Sequence, residues 1–198
     1  MSDTPNTPLL SARDLQVRFG GVLAVNGVSF DVRRGEVFTL IGPNGAGKTT
    51  VFNLISRIYT PTAGTIDFNG VSLTSTPAHR VAELGIARTF QNIELFEYAT
   101  VLQNLLIGHH VHRSTGFWSE LFFTGAARKA EVQAREAVER VIEFLDLQHH
   151  RDSLVAGLPY GVRKVVELAR ALCTEPKLLL LDEPSSGLNV EETDDMAF

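Results

Sequence analysis

Leu15, Val17 and Phe19 alternate with Gln16 and Arg18, and further on Val28, Phe30 and Val32 alternate with Ser29 and Asp31. A two-residue period sends successive side chains to opposite faces, so both stretches read as half-buried antiparallel strands. The run 37–41 is different: it is apolar with one Thr and is entered through a turn at Arg34, Gly35 and Glu36, as expected of a strand covered on both faces. Helical spacing follows in Val51, Leu54, Ile55 and Ile58, with Pro61 and Gly64 as stops. A strand at 65–68, a turn at Asn69 and Gly70, a short helix over 77–84 and a strand at 86–90 make the order mixed α/β.

From about residue 92 to residue 158 the pattern is helical. Thr100 and Gln103 have the spacing of a capping box, and 126–145 carries an amphipathic repeat through Val132, Val138, Val141, Ile142 and Leu145. The stretch reads as a helical insertion. A helix over 161–173, a break at Pro176 and a buried strand at 178–181, running into Asp182 and Glu183, return the chain to α/β. The expected organisation is a first core part over 1–91, a helical subdomain over 92–160 and a second core part over 161–198.

Apolar residues are 44% and charged residues 21% of the 198, which describes a folded domain rather than a disordered chain. The net charge is −5 and no basic block occurs, so nucleic acid is not expected as the main partner. Cys173 is the single cysteine, and the polar lead 1–8 lacks the regions of a signal peptide, so the chain reads as intracellular. No apolar run approaches the roughly 20 residues that cross a bilayer, so a membrane role is expected to come through a partner.

Gly42, Pro43, Asn44, Gly45, Ala46, Gly47, Lys48 and Thr49, with Thr50 behind them, fit the phosphate-binding pattern of glycine, four residues, then glycine-lysine-threonine. Glycines let backbone N–H groups turn inward around phosphate oxygens, and the following helix points its positive end at them. Lys48 adds a point charge and Thr49 offers a hydroxyl to Mg²⁺. The spacing is not the G-x-G-x-x-G of dinucleotide folds. Asp182 and Glu183 end the second buried strand, where one carboxylate can hold Mg²⁺ through water and the other can orient and deprotonate an attacking water.

The phosphate loop, Gln91 after a strand, the helical insert, the stretch Leu158, Pro159, Tyr160, Gly161 and Val162 opening a helix, the acidic strand end, and Ser186 to Asn189 together resemble the ordered motifs of an ATP-binding cassette ATPase. Within that superfamily, 19–25, Arg88 to Gln91 and the Tyr160-Gly161 pair most resemble ATPase subunits of branched-chain amino-acid importers. The resemblance implies an α/β phosphate-loop NTPase core with a mainly parallel sheet, an N-terminal antiparallel β subdomain and an inserted α-helical subdomain. It implies ATP and Mg²⁺ as cofactors, with Phe19 stacked on adenine, Val25 among the nucleotide-binding residues, and Gln91 sensing the γ-phosphate, Mg²⁺ and the membrane partner. Glu183 is the implied catalytic carboxylate and Asp182 the metal-binding one. Pro159, Tyr160 and Gly161 would meet the nucleotide of a second ATP-binding subunit, and Asn189 would lie at the dimer seam. Transmembrane permease subunits are the implied partners, at the cytoplasmic face of the membrane. The stretch 91–97 joins the nucleotide site to the helical insert and carries the apolar Ile93, Leu95 and Phe96, so it is expected to line the cleft toward them.

Two departures from the family pattern stand out. Pro159 and Val162 occupy signature positions that normally carry a small or hydroxyl residue and a glutamine, and proline supplies no backbone donor. The chain ends at Phe198, where the family continues into a strand with a switch histidine; all six histidines precede Asp182. It therefore reads as truncated, and as slow in hydrolysis. The alternatives are a catalytically weak nucleotide-binding regulatory or structural protein, or a soluble ATPase of the same superfamily without a transport role. His109, His110 and His112 read as solvated helix-end residues, and Phe117, Trp118, Leu121, Phe122 and Phe123 as either packing or a docking surface.

Overall fold

The computed structural model describes residues 7–89, 93–110 and 125–183. Two compact units divide the chain after Val81. The first is built on a long hairpin of β1 (Leu10–Phe19) and β2 (Val22–Val32), extended by β3 (Ala63–Phe68) and β4 (Val71–Ser72) into an antiparallel sheet of order β2-β1-β3-β4. Leu10 and Ala12 of β1 are buried, a bulge between Ala12 and Leu15 with Asp14 at φ 48° shifts the phase by one so that Leu15 and Val17 are buried after it, and Ile66 and Phe68 of β3 complete this face. The β3–β4 turn has both Asn69 and Gly70 at positive φ, the conformation that suits a tight hairpin and that Asn and Gly tolerate best. Helix α1 (Lys48–Ile55) buries Val51, Leu54 and Ile55.

Two expectations in this unit are corrected. The run 37–41 is not a strand: it pairs with no described strand, and Val37 and Ile41 are 95% and 93% exposed. An apolar run becomes a ladder only where a neighbouring strand takes its N–H and C=O groups, a condition no local pattern encodes. The expected helix over 77–84 is one 3₁₀ turn, Ala78–Arg80, closed by Arg80 N–H to Pro77 C=O at 3.0 Å and Val81 N–H to Ala78 C=O at 3.2 Å. So short a segment gains too few bonds to offset helix nucleation.

The second unit opens with β5 (Ile86–Arg88), paired in parallel with β6 (Leu178–Leu180) in the register Ile86↔Leu178, Ala87↔Leu179, Arg88↔Leu180. Between them lie α2 (Val101–His109), α3 (Gly125–Phe144) and α4 (Tyr160–Leu172). Val101 and Leu105 of α2, Val138 and Ile142 of α3, and Val166 and Ala169 of α4 share one apolar core with Cys173. The helix that follows the signature stretch thus packs with the helices of the insert. The capping box at the start of α2 forms as its spacing predicts: Gln103 N–H donates to Thr100 Oγ1 at 3.2 Å and Thr100 N–H to Gln103 Oε1 at 2.9 Å. Where α2 crosses α4, a Cβ on Gly108 would lie 2.5 Å from the Arg170 carbonyl oxygen, so only glycine permits this approach.

Candidate functional site: a phosphate loop and an acidic strand end

The phosphate loop is shaped by two left-handed glycines, Gly45 at φ 81° and Gly47 at φ 86°. Ala46 N–H closes a turn on Pro43 C=O at 3.1 Å, and Gly47 is the N-cap of α1, its carbonyl accepting from Val51 N–H at 2.9 Å. A Cβ on Gly47 would stand 2.6 Å from the Ala24 carbonyl oxygen and 3.4 Å from Val25 Cγ2. The loop is therefore backed directly onto β2, with Val25 buried behind it. Pro43, Asn44, Gly45, Ala46 and Thr49 are exposed and Thr50 is half-buried.

Neither a side chain on the N-cap nor an acidic residue in the first turn competes for the positive end of α1. Lys48 reaches back over the loop, its Nζ donating to Gly42 C=O at 2.7 Å and Pro43 C=O at 3.0 Å. The ammonium is thus already at the loop mouth, held by neutral carbonyls that a phosphate, as a charged acceptor, can outbid. Phe19, at the end of β1, is exposed and meets Tyr59 edge-on with ring centroids 4.9 Å apart.

In the second unit Asp182 follows β6 and is buried, with Arg88 of β5 donating Nη2–H to its Oδ2 at 2.9 Å. Glu183 is exposed and sits at φ 51°, a left-handed backbone that costs a residue with a Cβ about 1–2 kcal/mol. Strain of this kind persists where surroundings over-determine it, often at functional sites. Thr49 in the first unit and Asp182 in the second each carry oxygen donors of the hard kind that Mg²⁺ takes. Among the described residues no cluster of three or more His, Cys, Asp and Glu could hold a metal. His109 Nδ1 lies 3.1 Å from Cys173 C=O.

The signature stretch starts α4 with Pro159 as N-cap, φ −54° and ψ 154°, and with no side-chain cap. Gly161 is buried and Tyr160 exposed, with Lys164 Nζ 5.9 Å from its ring centre. Arg163 ties the turn below, its Nε to Leu158 C=O at 2.9 Å and Nη2 to Ala156 C=O at 2.5 Å. Arg170 donates to Glu94 C=O at 2.5 Å, and Arg163 lies 3.8 Å from Glu97. The segment after Gln91 is thereby attached to the helix after the signature by two arginines. Sequence reasoning had no signal for this, since an amphipathic helix repeat does not separate an arginine in solvent from one on a carbonyl. Gln91, Asn189, His112 and the aromatic group around Trp118 lie outside the described residues.

The profile of the ABC transporter family matches residues 25–186. The high-affinity branched-chain amino acid transport ATP-binding protein BraF of Pseudomonas aeruginosa is 44% identical over 189 residues, covering 96% of this chain and 74% of that protein. LivG of Escherichia coli K12, of the same description, is 42% identical with the same coverage, 96% and 74%. Among solved structures, a nucleotide-free ATP-binding cassette from an ABC transporter superposes with a TM-score of 0.79 at 33% identity, over 96% of this chain and 74% of that one. The ADP conformation of MJ1267, another such cassette, also gives 0.79, at 31% identity and with 96% and 74% covered. With a glycine loop backed on β2, a lysine over its mouth and an acidic strand end all in the order of that family, the chain belongs to the ABC transporter family as one of its ATP-binding cassettes.

Proposed function

We propose that this chain is the ATP-hydrolysing subunit of an importer for branched-chain amino acids or related small polar solutes. The observation that carries the nucleotide half is the exposed loop 42–49, shaped by left-handed Gly45 and Gly47, leading into a helix whose start has no side-chain cap, with Lys48 Nζ on the Gly42 carbonyl oxygen. The solute class rests on the 44% and 42% identity to BraF and LivG. Two copies would enclose two ATP molecules, with Pro159, Tyr160 and Gly161 of one facing the loop of the other.

Within one copy, Lys48 exchanges its carbonyl partners for phosphate oxygens, and Phe19 offers an exposed ring to the base. Glu183 orients and deprotonates the attacking water. Thr49, Gln91 and Asp182 would hold Mg²⁺, which when bound neutralises charge on the phosphates. No described helix is long and apolar enough to cross a membrane, so a permease would supply the path, with this subunit at the cytoplasmic face. The exposed Phe96 and Glu97, within the tethered 93–97 segment, are the surface proposed to meet it.

Titration of a fluorescent ATP analogue against wild type and Lys48→Ala tests the nucleotide half: weaker binding by the variant is expected, and equal affinity overturns it. Cross-linking from a cysteine placed at Glu97 to a co-expressed permease tests the transport half, which fails if cross-links form only from the opposite face.

A further inference from the structure

Arg88 and Asp182 are 94 positions apart in sequence, yet their side chains are only 8% and 4% exposed and form an ion pair at 2.9 Å. The pairing of β5 with β6 makes this contact. Arg88 stands opposite Leu180, and Thr89 N–H continues the ladder to Leu180 C=O at 3.0 Å. Asp182 is two residues beyond Leu180, which returns its side chain to the face that Arg88 occupies. The backbone ladder of β5 and β6 thus brings the two residues together.

We propose that Arg88 is a positioning residue for the metal: it fixes the orientation of the Asp182 carboxylate by holding Oδ2, so that the carboxylate meets the cation without first reorganising. The inference rests on reading the protein as a Mg·ATP-dependent ATPase, and it adds a role for a residue outside the nucleotide-binding and metal-binding sets proposed above. A buried carboxylate needs a counter-charge, and the planar guanidinium supplies one in a defined direction, which a flexible ammonium does not. Groups that hydrogen-bond to a metal-binding carboxylate fix its orientation and tune its affinity for the metal. Arg88 also stands three residues before Gln91, so the strand that carries it also leads to the residue expected to sense the γ-phosphate.

The test separates nucleotide binding from metal binding in the full chain. A fluorescent ATP analogue is titrated in EDTA, and Mn²⁺ is then titrated into the nucleotide complex and followed by electron paramagnetic resonance, for wild type, Arg88→Met and Arg88→Lys. Arg88→Met is expected to keep metal-free nucleotide affinity within about twofold and to weaken Mn²⁺ half-saturation by roughly tenfold or more, with Arg88→Lys partly restoring it. Circular dichroism establishes that each variant is folded; if Arg88→Met is not, Arg88→Lys decides alone, with a weakening of about threefold or more expected from loss of the planar fork. Unchanged Mn²⁺ half-saturation in a folded variant that binds nucleotide overturns the role of Arg88 and leaves the ATPase reading standing. Failure of the wild type to bind the analogue at all overturns both.

Discussion

Asn104, wholly buried on α2, holds Phe96 at both of its backbone groups: Oδ1 accepts from Phe96 N–H at 2.9 Å and Nδ2 donates to Phe96 C=O at 3.1 Å. The same amide donates to Thr100 C=O at 3.0 Å. One side chain therefore stands in for a strand partner to the segment 96–100, just where the chain passes from the region after Gln91 into the helices. Asn104→Ala removes three bonds and takes the Asn104 partner from Phe96 N–H, while Phe96 C=O and Thr100 C=O keep the backbone N–H groups of Ala99 and residue 104, a loss of about 1–3 kcal/mol. Urea denaturation should show a lower midpoint with an unchanged slope.

Gly45 and Gly47 have the same handedness and different surroundings. Nothing lies within 4 Å of a Cβ built on Gly45, whereas one on Gly47 meets the Ala24 carbonyl oxygen at 2.6 Å. Gly45→Ala bears conformational strain alone, about 1–2 kcal/mol. Gly47→Ala must also push the loop off β2, so it should abolish binding of a fluorescent ATP analogue under conditions where Gly45→Ala still binds.

Glu183→Gln keeps the size of the side chain and removes its capacity to take a proton. Phosphate release should fall by roughly 10²-fold or more while ATP affinity stays near that of wild type. An unchanged rate would remove Glu183 from the mechanism.

Cys173 sits in the helical core, and burial raises its thiol pKa to about 12. Its unfolded value is about 8.5, so the folded state holds the proton more tightly. The stabilisation this gives is fully present below about pH 8.5 and is lost as pH rises toward 12. A thiol-specific reagent at pH 8 should label native protein slowly and denatured protein at once, and Cys173→Ser should flatten the alkaline loss of stability.

Local chemistry made much of the chain legible in advance. The alternation at 15–19 and 28–32, the Asn69-Gly70 turn, the capping box of Thr100 and Gln103, the helices after 125 and 160, and the glycine loop all appear where the residues put them. Each depends on neighbours a few positions away. The same reading failed at 37–41 and shortened the 77–84 helix to one turn, because a strand needs another strand to pair with, and one helical turn needs tertiary packing to outweigh its nucleation.

The sequence by itself determined that this protein has a phosphate loop, an acidic strand end and a helical insert in the order of an ATP-binding cassette, because motif chemistry is written in short spacings. Only the tertiary structure decided that Arg88 faces Asp182, that Asn104 holds Phe96, that Arg170 reaches Glu94, and that Gly108 and Gly47 are glycines because another backbone lies against them. Those relationships join residues whose separation along the chain carries no period, and a buried charge or amide finds its partner only after the strands and helices around it have packed.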